Sequence, residues 1–89
     1  MKKYRLEFVH SVEKDLRNIP KNTLKTIFAY LTILQDNPFV GKPLKGKYKG
    51  LYSLRFQVFR IIYMIEKSRM VVLVLRIRHR KDAYKGKIW

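Results

Sequence analysis

Three runs rich in β-branched and aromatic residues decide the fold: Leu51-Tyr52-Ser53-Leu54-Arg55-Phe56, then Phe59-Arg60-Ile61-Ile62-Tyr63-Met64-Ile65, then Met70-Val71-Val72-Leu73-Val74-Leu75-Arg76-Ile77-Arg78-His79. Residue types that fit a pleated, half-buried surface predominate in each, and the breaks between them are short. Glu66-Lys67-Ser68-Arg69 is a polar turn, and Gln57-Val58 stands between the first two runs. The spacing predicts an antiparallel meander.

Upstream, Tyr4, Leu6 and Phe8 alternate with Arg5 and Glu7, the period of one more half-buried strand. Ser11 is placed to cap a short helix with Val12, Leu16 and Ile19 on its apolar side and Glu13 and Asp15 in its first turn, ending before Pro20. Leu24, Ile27, Phe28, Leu31 and Leu34 then recur at helical spacing until Asn37-Pro38 stops them. The segment from Phe39 to Gly50 is punctuated by glycine and proline and reads as a connection. In it Lys45, Lys47 and Lys49 alternate with Gly46, Tyr48 and Gly50; were it extended, the lysines would share one side and Tyr48 the other, either as a solvated linker or as a phosphate-contacting edge. The order β-α-α-β-β-β predicts an α+β fold in which a two-helix hairpin packs on a twisted, mainly antiparallel four-stranded sheet and leaves the other sheet face open.

The length of 89 residues suits one domain, taken as 1–89, with too little chain for a second core. Against 6 acidic residues stand 21 Lys and Arg, a formal charge of +15. Self-repulsion on that scale points to a polyanionic partner, nucleic acid first and an acidic protein second. Hydrophobic residues, 47% of the chain, are spread along it, so the charge decorates a core and not a disordered tail. Cysteine is missing, which rules out disulfides and thiolate metal sites, and two isolated histidines do not make a zinc site. The basic start is followed by no apolar stretch of signal-peptide or membrane-spanning length, so a soluble cytoplasmic protein with no membrane partner is expected.

The end of the last run, Leu75-Arg76-Ile77-Arg78-His79-Arg80-Lys81-Asp82-Ala83-Tyr84-Lys85, carries the chemistry. Arg55 and Arg60 in the preceding strands, with Arg76, Arg78 and Arg80, form a guanidinium cluster that needs anions to offset its repulsion, and Lys81 and Lys85 extend it. His79 can move a proton near neutral pH, or serve only as a polar cap of the strand. Tyr84 offers a ring for stacking and a phenol for hydrogen bonding, or an aromatic lid on the core edge. His10 has no reactive neighbours in sequence and reads as a surface residue. With no phosphate-binding glycine loop and no carboxylate cluster for magnesium, neither a cofactor nor a metal is expected. An RNA-directed site can still work through the RNA's own 2′-hydroxyl, given a base, a charged clamp on the phosphorane and an acid for the departing 5′-oxygen.

Over nearly its whole length the chain resembles toxins of the RelE/ParE superfamily from bacterial and archaeal toxin–antitoxin pairs. The resemblance rests on Gln35-Asp36-Asn37-Pro38, Pro43-Leu44-Lys45-Gly46, Gly50-Leu51-Tyr52-Ser53-Leu54-Arg55, Phe59-Arg60-Ile61-Ile62-Tyr63 and Ile77-Arg78-His79-Arg80-Lys81-Asp82-Ala83-Tyr84, in that order and spacing. It implies a sheet whose concave side receives mRNA in the ribosomal decoding site, beside ribosomal RNA, and, in the RelE branch, metal-independent cleavage to a 2′,3′-cyclic phosphate and a 5′-hydroxyl. It further implies that Arg60 and Arg80 clamp the scissile phosphate, that Arg55 is a further basic position, that His79 transfers a proton and that Tyr84 stacks on or orients a base. Leu51 and Ser53 stand where the best-known branch has lysines, including a proposed base, so either His79 takes that role or Lys47 or Lys49 reaches in. Arg78 replaces a glycine common before the histidine, and Gln57-Val58 replaces a glycine-containing turn, for which a bulged bend is expected.

The expected function is therefore that of a type II toxin, a ribosome-dependent mRNA endonuclease restrained by a cognate antitoxin with acidic or amphipathic segments. A ParE-like inhibitor of DNA gyrase without nuclease activity is the alternative, and a basic RNA-binding module is a third reading.

Overall fold

The computed structural model describes residues 3–83. Tyr84, Lys85, Ile88 and Trp89 lie outside the described residues. The chain runs β1 (Arg5–Phe8), α1 (His10–Arg17), α2 (Lys21–Asp36), β2 (Lys42–Pro43), β3 (Tyr52–Phe56), β4 (Phe59–Glu66) and β5 (Val71–His79). The strands form one sheet in the order β1-β5-β4-β3-β2. β3, β4 and β5 make the expected antiparallel meander, while β1 joins β5 in parallel through the helical hairpin. The two residues of β2, opposite Tyr52 and Ser53, bring the strand count to five where four were expected. Pro43 within β2 lacks a donor, which suits an edge.

Both helices cover the same sheet face. Val12, Ile19, Ile27, Leu31 and Leu34 meet Phe56, Ile61, Tyr63, Val72, Val74 and Ile77 in the main core. Phe28, in register with that stripe, is 54% exposed and stays outside it. α1 starts one residue before Ser11, with Val9 at the N-cap and no side-chain cap. Ser11 is used differently: its hydroxyl donates to the Leu75 carbonyl at 3.3 Å. A smaller cluster of Leu51, Ile62, Leu75 and Ala83, with Leu44, Tyr48, Met64 and Leu73 against it, lies on the opposite, open face.

Phe56 faces Phe59 across Gln57-Val58, so this connection is a tight two-residue hairpin and not a bulged bend. It forms without glycine because Gln57 itself adopts φ 49°. The lysine segment is not extended either. Gly46–Tyr48 forms a 3₁₀ turn, with Gly46 at φ 65° and Gly50 at φ 97°, which breaks the alternation that would have aligned the lysines.

Candidate nucleic-acid interface

Strand alternation decides which cations meet. Ile61 and Tyr63 face the helices, so Arg60, Ile62 and Met64 between and beside them face the open side. Arg55 lies opposite Arg60, and Arg60 opposite Arg78, giving a row across β3, β4 and β5. Adjacent strands are about 5 Å apart, so the three side chains originate within about 10 Å of one another, a concentration of positive charge suited to an anion. Arg80 stands exposed at the same end of the sheet, its N–H donating to the Val58 carbonyl at 2.7 Å and so tying it to the β3–β4 hairpin.

The face taken by β5 changes partway along. Tyr63 pairs with Val74 but Ile62 with Arg76, which leaves Leu75 as the extra residue of a bulge. Val72 and Val74 face the helices before it and Ile77 after it, so Arg76 and Arg78 are turned away from the helix core. The bulge thereby delivers Arg78 to the row.

Arg76 has a different occupation. Its Nε and Nη2 donate to the Asp15 carboxylate at 3.0 and 2.9 Å, and the same carboxylate accepts the Ile77 backbone N–H at 3.0 Å. β1 ends at Phe8, so the outer edge of β5 has no strand beyond Val74, and Ser11 and Asp15 of α1 satisfy it instead. Asp15 is 6% exposed. Its role was open to a closer reading of the sequence, because Val12, Asp15, Leu16 and Ile19 fall on one helical stripe and an acid there must be paired. Arg78 also bends toward this edge, with Nε 3.6 Å from Asp15 Oδ1 and Nη1 donating to the Asp82 carbonyl at 3.3 Å.

His79 does not share the face of the arginine row. It lies opposite Phe59 on the helix side, with the two rings 6.1 Å apart and edge-on. There it borders a cavity of about 240 Å³ between the sheet end and α1, lined also by Asp15, Asn18, Ile19 and Ile77. Its Nδ1 accepts the Lys81 N–H at 3.2 Å, so in the neutral ring the proton is assigned to Nε2, which then acts as a donor. Lys45, Lys47, Lys49 and Lys81 are exposed; Lys47 Nζ sits 5.3 Å from the Tyr48 ring centre. Tyr84 and Lys85 are outside the described residues. Among the described residues no group of three or more His, Cys, Asp or Glu side chains is placed to hold a metal ion. Sequence reasoning missed Ser53 as a buried polar group: its hydroxyl, on the open-face side of β3, has no hydrogen-bond partner among the described residues.

Residues 6–84 match the family described as ParE toxin of type II toxin-antitoxin system, parDE. The chain belongs to the RelE/ParE toxin superfamily. The toxin is 31% identical to Toxin RelG of Mycobacterium tuberculosis over 84 residues, spanning 92% of this chain and 97% of that one. It is also 31% identical to the putative toxin RelE1 of Methanocaldococcus jannaschii over 89 residues, 94% of this chain and 98% of the other. Its fold superposes on the toxin–antitoxin complex RelBE2 of M. tuberculosis with a TM-score of 0.82 at 30% identity, covering 88% of this chain and 99% of that one. The isolated RelE toxin of E. coli shares the fold alone, with a TM-score of 0.75 at 19% identity over 85% of this chain and 83% of the other. No helix of the toxin's described residues is long and apolar enough to cross a membrane.

Proposed function

We propose that this toxin is a ribosome-dependent endoribonuclease that cuts mRNA in the decoding site by metal-independent attack of the RNA 2′-hydroxyl. The row Arg55, Arg60 and Arg78 on the open sheet face carries the reading, with Arg80 at its end. In the reaction the 2′-oxygen bonds to the adjacent phosphorus and gives up its proton to a base. The 5′-oxygen leaves with a proton from an acid, and the products are a 2′,3′-cyclic phosphate and a 5′-hydroxyl. Charge accumulates on the non-bridging oxygens of the phosphorane, which is where a fixed guanidinium row is most effective. Arg60 and Arg80 clamp the phosphate and Arg55 and Arg78 support them.

The base is more naturally Lys49 than His79. Lys49 borders the open face, whereas His79 is on the helix side and its neutral ring offers Nε2 as a donor. A neutral ring has no acidic proton to give the leaving group, and His79 lies off the clamped face, so protonation of the departing 5′-oxygen falls to Arg80, exposed at the end of the row. Lys45, Lys47, Lys81 and Lys85 contact phosphates of mRNA or ribosomal RNA, and Tyr84 stacks on or orients a base. A cognate antitoxin with acidic, amphipathic segments covers the basic face and holds the toxin inactive in the cytoplasm.

Purified toxin added to ribosomes translating a defined mRNA, with 5′ ends mapped by primer extension, tests this. Cuts inside the decoding-site codon that disappear with Arg60→Ala and Arg80→Ala support the reading; uncut mRNA refutes it. The family description as a ParE toxin and the separation of His79 from the arginine row favour one other reading, a gyrase inhibitor. That reading predicts loss of gyrase supercoiling with mRNA left intact.

A further inference from the structure

Beside the arginine row the open face holds a hollow of about 360 Å³, of whose lining the phosphate chemistry uses only Lys49. Leu51, Met64, Leu73 and Leu75 form its walls, Val9 closes one end and Lys49 stands at its rim. Its size falls within the range of about 300–1,000 Å³ typical of small-ligand sites. Met64 is four residues along β4 from Arg60, about 13 Å, so the hollow is within one or two nucleotides of an extended strand whose phosphate sits on the row.

We propose that this hollow receives one nucleobase of the RNA, unstacked from its neighbours, while the arginine row holds an adjoining phosphate. The inference rests on the nuclease reading for the identity of the RNA and goes beyond it in assigning a base site. Two further features support it. The face is cationic where it meets the hollow, with Lys49 on its rim, which favours a polyanion's backbone around an apolar floor. At the opposite end of the sheet the acids Glu7 and Glu66 are tied to Arg69 at 3.2 and 2.9 Å, so the anion-attracting part of the face stops just past the hollow. A strand anchored on the arginines therefore has room to insert a base there but little reason to run further. Met64 gives the site a thioether, whose contacts with aromatic faces are favourable. Among the described residues no polar side chain lines the hollow apart from Lys49 at its rim, so it accepts any base and prefers the larger purines.

Short single-stranded RNAs carrying 2-aminopurine or an abasic ribonucleotide at successive positions, titrated into the full-length toxin, test the base site without requiring cleavage. At one position the abasic RNA is expected to bind about 5–10-fold more weakly than the intact one, towards the lower end of measured single-base effects because no aromatic ring is among the described residues that line the site. Leu73→Trp, which fills the hollow, and Met64→Gln, which makes it polar, should each abolish that difference while leaving Arg60-dependent binding in place. Either variant that stays folded by circular dichroism suffices. Equal binding of abasic and intact RNA at every position overturns the proposal. So does a result in which both variants bind RNA normally but escape neutralisation by the antitoxin, which would assign the hollow to an apolar antitoxin side chain. Failure of the nuclease reading shows separately, as uncut ribosomal mRNA with the base-dependent binding intact.

Discussion

Tyr63 is the largest of the fully buried side chains, and its phenol donates to the Pro38 carbonyl at 2.6 Å. Burial pushes its pKa up to about 12, partly opposed by the Gly41 backbone. Gly41 is required here for space: a Cβ would run into the Tyr63 hydroxyl and crowd the Ser53 carbonyl. Gly41→Ala should therefore cost about 2–3 kcal/mol by urea denaturation, and less in a Tyr63→Phe background, where the hydroxyl is gone. Tyr63→Phe alone leaves the Pro38 carbonyl without its donor and should cost about 1–2 kcal/mol. The two proteins should also differ in alkali. Because the folded-state pKa lies above the ordinary 10.0, the unfolded chain loses this proton first, and the stability it contributes is whole below pH 10 and lost as pH rises towards 12. Wild type should lose stability more steeply than Tyr63→Phe between pH 10 and 12; parallel curves would mean that the hydroxyl is not buried as described.

Among the elements, α1 depends most on a single side chain. Asp15 neutralises Arg76, caps the Ile77 N–H and lies near Arg78, so Asp15→Ala leaves a cation and a strand edge unsatisfied together. A loss of about 3–5 kcal/mol is expected on urea denaturation, with a smaller loss for the double variant Asp15→Ala/Arg76→Met. The β3–β4 hairpin offers the reverse effect: Gln57→Gly relieves a left-handed backbone and should raise stability by up to about 1 kcal/mol. Much of this layer was legible in the sequence. Helical spacing from Leu24 to Leu34 and the β-rich runs from Leu51 to His79 each dictate one conformation. Local periodicity could not reveal two features. The bulge at Leu75 reverses the parity of β5, so that counting by twos from Val72 sends Arg76 and Arg78 to the wrong face. His79, past the same bulge, falls on the helix side for that reason, although its residue type and strand-end position mark it for proton transfer. The 3₁₀ turn at Gly46–Tyr48 was hidden because alternating lysines carry no burial signal to fix a period.

On the scale of the molecule, charge sets the behaviour. Of the acids, Glu7, Asp15, Asp36 and Glu66 already hold partner cations, and the total of 6 leaves a formal surplus of +15 on a body 32 × 31 × 23 Å across. At about 10 mM salt the Debye length of about 30 Å matches that size, so every surplus cation repels every other; at about 150 mM it falls to about 8 Å and only near neighbours interact. Self-repulsion should then outweigh the exposed ion pairs, which are individually weak. Thermal melts of the isolated toxin are expected to rise by about 5 °C or more between those salt concentrations, and a fall would mean that the ion pairs dominate. A polyanion adds a second effect, because it binds the folded face and stabilises it by mass action, about 2.7 kcal/mol at a hundredfold excess over Kd. Heparin at low salt should raise the melting point further, and added salt should erase that increment as counterions compete for the same cations. Replacing Arg55 and Arg80 with alanine together should shrink the heparin increment yet raise the melting point of the free protein, since removing two cations lowers the self-repulsion of the surplus charge. A free variant no more stable than wild type would place the repulsion elsewhere on the surface and weaken the assignment of the open face as the anion site.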